Sequence, residues 1–231
     1  MTAQSVSIGN ILDELRMLAG KHAGMLAGCM LGIGGAYTAI DWLSLQLDDD
    51  GAGGMMEILV GLIIGIYVQY AVTERLLADR LSLRGAPPVR RYGVLFVASL
   101  LIGIGLLLGL VMLVLPALYL SARWMIATPM IVEDNVAGGS GFEALKQSWQ
   151  TSAPFVPAFL LATLLYGVII VASEAVPLVT DFADLSAIEE QLVWAISNLL
   201  TGLSNVFGWT LAASAYRRAV PVQSGLEQVF A

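Results

Sequence analysis

The feature that most constrains this chain is an apolar stretch of 41 residues, Tyr92 to Val132, in which Arg123 is the single charged residue. A helix needs about 20 apolar residues to cross the hydrocarbon of a bilayer. The stretch is too long for one crossing and nearly right for two. Because proline disfavours a helical conformation at the residue before it, we predict that the two spans separate at Leu115-Pro116.

The composition extends this conclusion to the whole chain. Hydrophobic residues make up 58% and charged residues 13%, and the mean hydropathy is +0.80. A soluble domain carries about 25% charged residues, so a globular soluble fold is excluded. The sequence predicts an all-α, polytopic membrane helix bundle, with a membrane domain over residues 22–217 and six spans at about 24–45, 55–77, 92–114, 116–133, 154–177 and 190–216.

The basic residues predict the orientation of these spans. In the six-span arrangement, ten of the eleven Lys and Arg residues flank the spans on one side, and Arg123 is within a span. Cytoplasmic loops carry this excess, so we expect both termini, including the tail 218–231, in the cytoplasm of a bacterium and the spans in its inner membrane. The opposite loops are acidic. A run such as Asp48–Asp50 is either a solvated loop or a divalent-ion site.

The N-terminal residues 1–21 predict an amphipathic helix that lies on the cytoplasmic leaflet. Ser7 is a candidate N-cap. Charged residues, among them Glu14, fall on one side of this helix. The other side carries apolar residues at helical spacing: Ile8, Ile11, Leu12, Leu15 and Leu18.

A second interfacial helix is predicted over residues 141–151. Ser140 and Glu143 form an S-x-x-E capping box at its start. Trp149 is typical of a residue at the level of the lipid headgroups.

Small residues at four-residue spacing predict close helix packing. In a membrane such positions let two helices approach, either within the bundle or between two copies of the chain. They are Gly20, Gly24, Gly28 and Gly32 in span one, Gly61 and Gly65 in span two, and Gly105 and Gly109 in span three.

Polar residues within the spans are the candidates for a site. Arg123 is the most costly of them, and such a charge is usually paired inside the bundle. Glu174 is the first candidate partner and Asp41 the second, in either a structural pair or a substrate contact. Span six carries a polar stripe that predicts either interhelical hydrogen bonds or a solute path, and it includes Ser197, Asn198, Thr201 and Asn205.

Residues for catalysis are scarce. The single histidine, His22, and the single cysteine, Cys29, are too few for a zinc site. We expect no catalytic residue, no metal and no cofactor. The net charge of -7 argues against nucleic acid as a partner.

Two stretches carry a family resemblance. One is the opening, Ser7 to Leu12. The other is the string Arg-x(5)-Pro-x(3)-Glu from Arg123 to Glu133, followed by the helix Ala144–Trp149. Together they resemble the YciC-like bacterial proteins, a family also labelled "glycerophosphoryl diester phosphodiesterase membrane domain". The resemblance implies six spans. It does not imply phosphodiesterase activity, because the His, Glu and Asp cluster that such chemistry needs is absent from this sequence.

The resemblance also draws attention to an element at the cytoplasmic edge, formed by Pro129, Glu133, Ser148 and Trp149. Lys146 or an arginine of the loop from Arg75 to Arg91 is expected to reach Glu133. The element either orients spans four and five or docks a cytoplasmic partner or anionic lipid.

These observations predict a non-catalytic accessory or scaffold protein of the membrane that binds lipid, a protein partner or a second copy of itself. The alternative is a small-solute transporter or channel with Arg123 in its pathway.

Overall fold

The computed structural model describes residues 6–44, 52–82, 91–133, 136, 139–178 and 185–220. Across these ranges the regular structure is helical, and no strand is present. Several features of the sequence interpretation lie outside the described residues: the acidic residues 48–50, 181 and 184, the basic residues 84 and 90, Asp134, and the tail beyond residue 220.

Two segments of other helical types each join a pair of successive α-helices. A π-helical segment, Ile64–Val68, joins α3 to α4, and a 3-10 turn, Ala153–Phe155, joins α9 to α10. The α-helices are α1 (Ile8–Lys21), α2 (Ala23–Ser44), α3 (Ala52–Ile63), α4 (Gln69–Leu76), α5 (Ala78–Ser82), α6 (Tyr92–Met112), α7 (Val114–Trp124), α8 (Ala127–Val132), α9 (Gly141–Ser152), α10 (Val156–Ala175) and α11 (Ala187–Ala219).

Five helical segments among the described residues are long and apolar enough to cross a membrane. The all-α class is therefore confirmed, and the chain has the character of a multi-pass membrane protein. The helix α11 has the length but is more polar, so a sixth crossing stays a prediction. The five segments are Ala23–Ser44, Gly54–Leu76, Tyr92–Met112, Val114–Val132 and Gly141–Ala175.

The chain reverses between α6 and α7 at Leu113, and the predicted break at Leu115-Pro116 is wrong. Leu113 has a positive φ of 128°, unusual for a residue with a side chain. Pro116 is the third residue of α7. The N–H groups of a first helical turn have no partner within the helix, so proline is tolerated there and does not mark the break.

A second break divides α7 from α8 at Met125 and Ile126. Proline in a helix clashes with the carbonyl four residues earlier, which for Pro129 is that of Met125. Pro129 therefore lies in the first turn of α8, where it is tolerated. This short helix ends the apolar segment Val114–Val132, so Pro129 lies near the end of that segment, as the sequence interpretation expected.

The described residues group into two compact units. The first contains α1, α5 to α9, most of α4, the start of α10 and the end of α11. Its largest fully buried side chains include Ile11, Tyr70, Leu95, Met130 and Phe159.

The second unit contains α2, α3, the π-helical segment, and the remaining parts of α10 and α11. Here α2 and α11 approach closely. A Cβ added at Gly34 would lie 3.0 Å from the backbone of Leu199, and one at Gly202 would overlap the carbonyl oxygen of Met30.

The predicted glycine contacts hold in α6. A Cβ at Gly105 would lie 2.5 Å from the Trp124 ring, and one at Gly109 would lie 2.9 Å from the backbone of Ala117. In the second unit, Gly61 faces the Tyr37 hydroxyl, at 3.2 Å from an added Cβ.

The glycines predicted as one stripe in span one behave differently. Gly20 belongs to α1, so the stripe does not run along a single helix. No described atom outside the helix backbone lies within 4 Å of a Cβ added at Gly20, Gly24, Gly28, Gly32 or, in the π-helical segment, Gly65. Packing of these positions inside the chain is therefore not seen among the described residues.

Candidate functional site

The first unit contains a network of paired charges, which we call the charge cluster. It is assembled from α1, α5, the residue that follows α8, and the last turn of α11. Its members are Glu14, Asp79, Arg80, Glu133, Arg217 and Arg218.

Arg80 and Glu133 form the buried part of the charge cluster. Their side chains are 5% and 4% exposed, and Arg80 Nε lies 3.1 Å from Glu133 Oε1. The Tyr216 hydroxyl donates to the other carboxylate oxygen of Glu133. Arg80 also donates to the carbonyl of Val220 at 2.8 Å and lies over the Tyr216 ring. Every one of these contacts offsets the cost of removing the two charges from water.

Glu14 and Asp79 share the two arginines at the end of α11. Glu14 accepts from Arg217 at 2.6 Å and from Arg218 at 2.9 Å. Arg217 also binds both oxygens of Asp79, at 2.7 and 2.9 Å. The hydrogen bond from Arg217 holds the pKa of Asp79 below its ordinary value.

Part of this arrangement was predicted from the sequence. The expectation that an arginine between Arg75 and Arg91 reaches Glu133 is confirmed by Arg80. Lys146, the alternative, lies 3.7 Å from Glu143 in an exposed pair.

The expectation for Glu14 is wrong, because its side chain is on the buried side of α1. It is 6% exposed and lies beside Ile11 and Leu18. The arginines of α11 compensate its charge there. The available signal was spacing, since Glu14 follows Ile11 by three residues and precedes Leu18 by four.

Arg123 is the second polar feature of this unit. It is 5% exposed, and its guanidinium lies 4.3 Å from the centre of the Trp149 ring and 5.9 Å from that of Tyr119. The rings stabilise the cation through their faces. Its Nε is buried and meets no hydrogen-bond acceptor among the described residues.

The backbone carbonyl of Arg123 is bonded by two hydroxyl groups. The break before α8 removes the helical partner that this carbonyl would otherwise have. The Ser148 and Ser152 hydroxyls of α9 donate to it at 2.9 and 3.1 Å. Ser148 thus joins α9 to the end of α7, a role that the sequence interpretation did not identify.

The helix α9 is packed within the first unit. Ser140 caps it by accepting from the Glu143 N–H at 3.1 Å, as predicted. Its buried face contacts α6, α7 and α8. Trp149 contacts Arg123 together with the rings of Tyr119 and Trp124, and its position at the lipid headgroups stays a prediction.

The predicted partners of Arg123 belong to the second unit. Glu174 is exposed, and its pairing with Arg123 stays a prediction. Asp41 accepts a hydrogen bond of 2.6 Å from the Asn198 amide, which also lies 3.3 Å from the Thr38 hydroxyl. Asn198 therefore makes the kind of interhelical bond that the stripe predicted.

Two further hydrogen bonds involve the stripe, one within α11 and one from α11 to α10. The Asn205 amide donates to the carbonyl of Thr201 at 3.0 Å, within α11. The Ser197 hydroxyl donates to the carbonyl of Ser173 on α10 at 3.5 Å. These bonds satisfy polar groups inside an apolar bundle, which is what a helix of this composition requires.

The fold and these contacts define an all-helical protein with several helices fit to cross a membrane. Within the described ranges, no three His, Cys, Asp or Glu side chains converge as a metal site would require. Comparison of the chain with family models, with curated proteins and with solved structures finds no match.

Proposed function

We propose that this chain is a non-catalytic accessory or scaffold protein of a bacterial inner membrane, and that it binds lipid or a protein partner. The charge cluster is the observation that carries the proposal. Its acidic and basic side chains are paired with one another, as in a contact that stabilises a fold. Catalysis would instead need an acid or base held ready for a substrate.

The proposal includes six spans, with α11 as the sixth and both termini in the cytoplasm. The Lys and Arg distribution supports this arrangement. The charge cluster agrees with it, because α1 and the last turn of α11 meet there through Glu14 and Arg217. This contact supports a common side of the membrane for α1 and the last turn of α11.

The proposal also includes membership in the YciC-like family, with the membrane architecture and without the phosphodiesterase activity. The string from Arg123 to Glu133 supports it, since three of its residues mark defined positions. Arg123 lies in the last turn of α7, Pro129 lies in the first turn of α8, and Glu133 joins the charge cluster.

Native mass spectrometry of the protein, extracted gently from its own membranes, tests this function. We expect a stoichiometric protein partner or retained phospholipid. A bare monomer that moves a solute across liposomes would overturn the accessory role.

Arg123 supports a second candidate function, a transporter or channel. A buried guanidinium whose Nε has no acceptor among the described residues is a group that an anionic solute can use. In that case Arg123→Ala abolishes flux in liposomes while the protein still folds and inserts. Wild-type liposomes without flux would reject this candidate.

A further inference from the structure

Two contacts between α6 and α7 in the first unit fix the position of Arg123 along α6. Gly105 packs against Trp124, the neighbour of Arg123. Gly105 lies about 20 Å from the start of α6 at Tyr92 and about 10 Å from its end at Met112, at 1.5 Å per residue. The α7 backbone passes this level in the opposite direction, since Gly109 meets Ala117.

The helix α9 gives the same level independently. Gly141 packs against the backbone of Val94 and Ala98, near the start of α6. Trp149 is eight residues further along, or about 12 Å. The Trp149 ring over Arg123 thus lies well inside the membrane, nearer to the Met112 end of α6.

The side chain of Arg123 reaches toward that end. Helical side chains lean toward the N-terminus of their helix, which for α7 is Val114, next to Met112. The contact with Tyr119, one turn earlier, agrees with this direction. A long arginine side chain in a membrane helix extends in this way toward the nearer headgroups.

Arg123 is itself 5% exposed, but the helix that carries it is exposed at Tyr119 and at its first two residues. Tyr119 is 40% exposed, and Val114 and Leu115 on the same helix are 60% and 75% exposed. The guanidinium lies over both the Tyr119 and the Trp149 ring, whose centres are 5.6 Å apart and whose planes are nearly perpendicular. Its Nε has no acceptor among the described residues.

We propose that Arg123 binds the phosphate of an anionic phospholipid from the leaflet at the Met112 end of α6, with Tyr119 and Trp149 as the walls of the site. A guanidinium and a phosphate form charge-assisted hydrogen bonds with matching geometry. A lipid of net negative charge also neutralises the arginine, which a zwitterionic lipid does not. The proposal rests on the lipid-binding role proposed above and names the residue that performs it.

Native mass spectrometry with titrated lipid tests the proposal. Purified protein receives phosphatidylglycerol or phosphatidylcholine of identical chains. We expect one phosphatidylglycerol to bind with clear preference over phosphatidylcholine. Arg123→Gln should weaken that binding about tenfold or more, and Arg123→Lys, which keeps the charge, should weaken it less. Arg16→Gln, at an exposed arginine of α1, is the matched control and should bind as the wild type does.

The outcomes separate the alternatives. The proposal is overturned if the wild-type protein shows no preference for phosphatidylglycerol. This is the result expected if a carboxylate such as Glu174 already pairs with Arg123, and it can be read even if Arg123→Gln fails to fold. Equal loss in Arg16→Gln points to surface charge and also overturns it. Displacement of the lipid by millimolar inorganic phosphate would assign the site to a free anion. Retained lipid that is indifferent to Arg123 would defeat this proposal alone, whereas the absence of any lipid or partner would defeat the proposed function as well.

Discussion

The Ser148 hydroxyl of α9 donates a hydrogen bond of 2.9 Å to the backbone carbonyl of Arg123 at the end of α7. Ser152 makes a second bond to the same oxygen. Because the helix breaks after Trp124, this buried carbonyl depends on the two hydroxyls for its partners. The helix break that Pro129 causes and the two serines of α9 therefore form one structural unit.

Removing both hydroxyls should destabilise the protein. We expect Ser148→Ala with Ser152→Ala to cost about 1–3 kcal/mol, since a buried acceptor loses its donors. Either single change should cost less, because one donor remains. Thermal unfolding in detergent measures the difference. Ser204→Ala is the control, since Ser204 bonds only weakly, at 3.3 Å, within its own helix. If Ser204→Ala and the double variant had equal effects, the Arg123 carbonyl would not depend on the two serines.

Neutralising Glu133 should be more costly. Glu133→Gln leaves Arg80 buried beside an uncharged partner, and such a change costs about 3–5 kcal/mol. Glu143→Gln, in the exposed pair with Lys146, should cost at most about 1 kcal/mol. Denaturant titration in mixed micelles compares the two variants. A Glu133→Gln protein as stable as Glu143→Gln would show that the buried pair contributes no more than an exposed one.

Asp79 should make the stability of the protein depend on pH in the acidic range. Its pKa lies below the ordinary value because Arg217 donates to it, so its stabilising effect is present above an ordinary carboxyl pKa of about 4. That effect is lost as the pH falls through the depressed pKa of the folded state. Solvent weakens it, since the side chain is 45% exposed.

Melting temperatures between pH 6 and pH 2 test this dependence. Asp79→Asn should lose less stability than the wild type over the acidic part of this range. Asp13→Asn, at an exposed residue of α1, should follow the wild-type curve. Parallel curves for the wild type and Asp79→Asn would count against the Arg217 contact.

Two glycines of α6 should respond differently to one added methyl group. Gly105→Ala places a Cβ 2.5 Å from the Trp124 ring and should cost about 1–3 kcal/mol through overpacking. Gly103→Ala on the same helix meets open space and should be neutral or slightly stabilising. Thermal unfolding of the pair measures the contrast. Identical melting temperatures would mean that α7 does not approach α6 at Gly105.

The orientation of α11 decides the number of spans. We expect green fluorescent protein to fluoresce when fused at either end of the chain, and alkaline phosphatase to be inactive at both. Both results follow if α11 crosses the membrane and Arg217 and Arg218 are cytoplasmic. An active phosphatase at the C-terminus would mean that α11 does not cross in this way.

The sequence predicts the helices better than their ends and contacts. Long apolar runs suffice to place α2, α6 and α10, because crossing a membrane requires length and hydrophobicity alone. The reversal at Leu113 carries no such signal, since the adjacent Pro116 fits a first helical turn. The break after Trp124 was likewise visible only as a proline five residues later.

The charge contacts were predicted in part for a related reason. Arg80 and Glu133 each flank an apolar run, so their proximity followed from the expected topology. Glu14 did not, because a glutamate among apolar residues at helical spacing is buried only if a cation from elsewhere reaches it. That cation comes from residue 217, and helical periodicity does not contain information at such a distance.

The bond between Glu14 and Arg217 has a consequence for biosynthesis. The two residues are 203 positions apart, so α1 leaves the ribosome long before its partner exists. Until the last turn of α11 is made, Glu14 has neither of the arginines that hold it in the folded protein. The helix α1 therefore reaches its final place only after the last turn of α11 has been made.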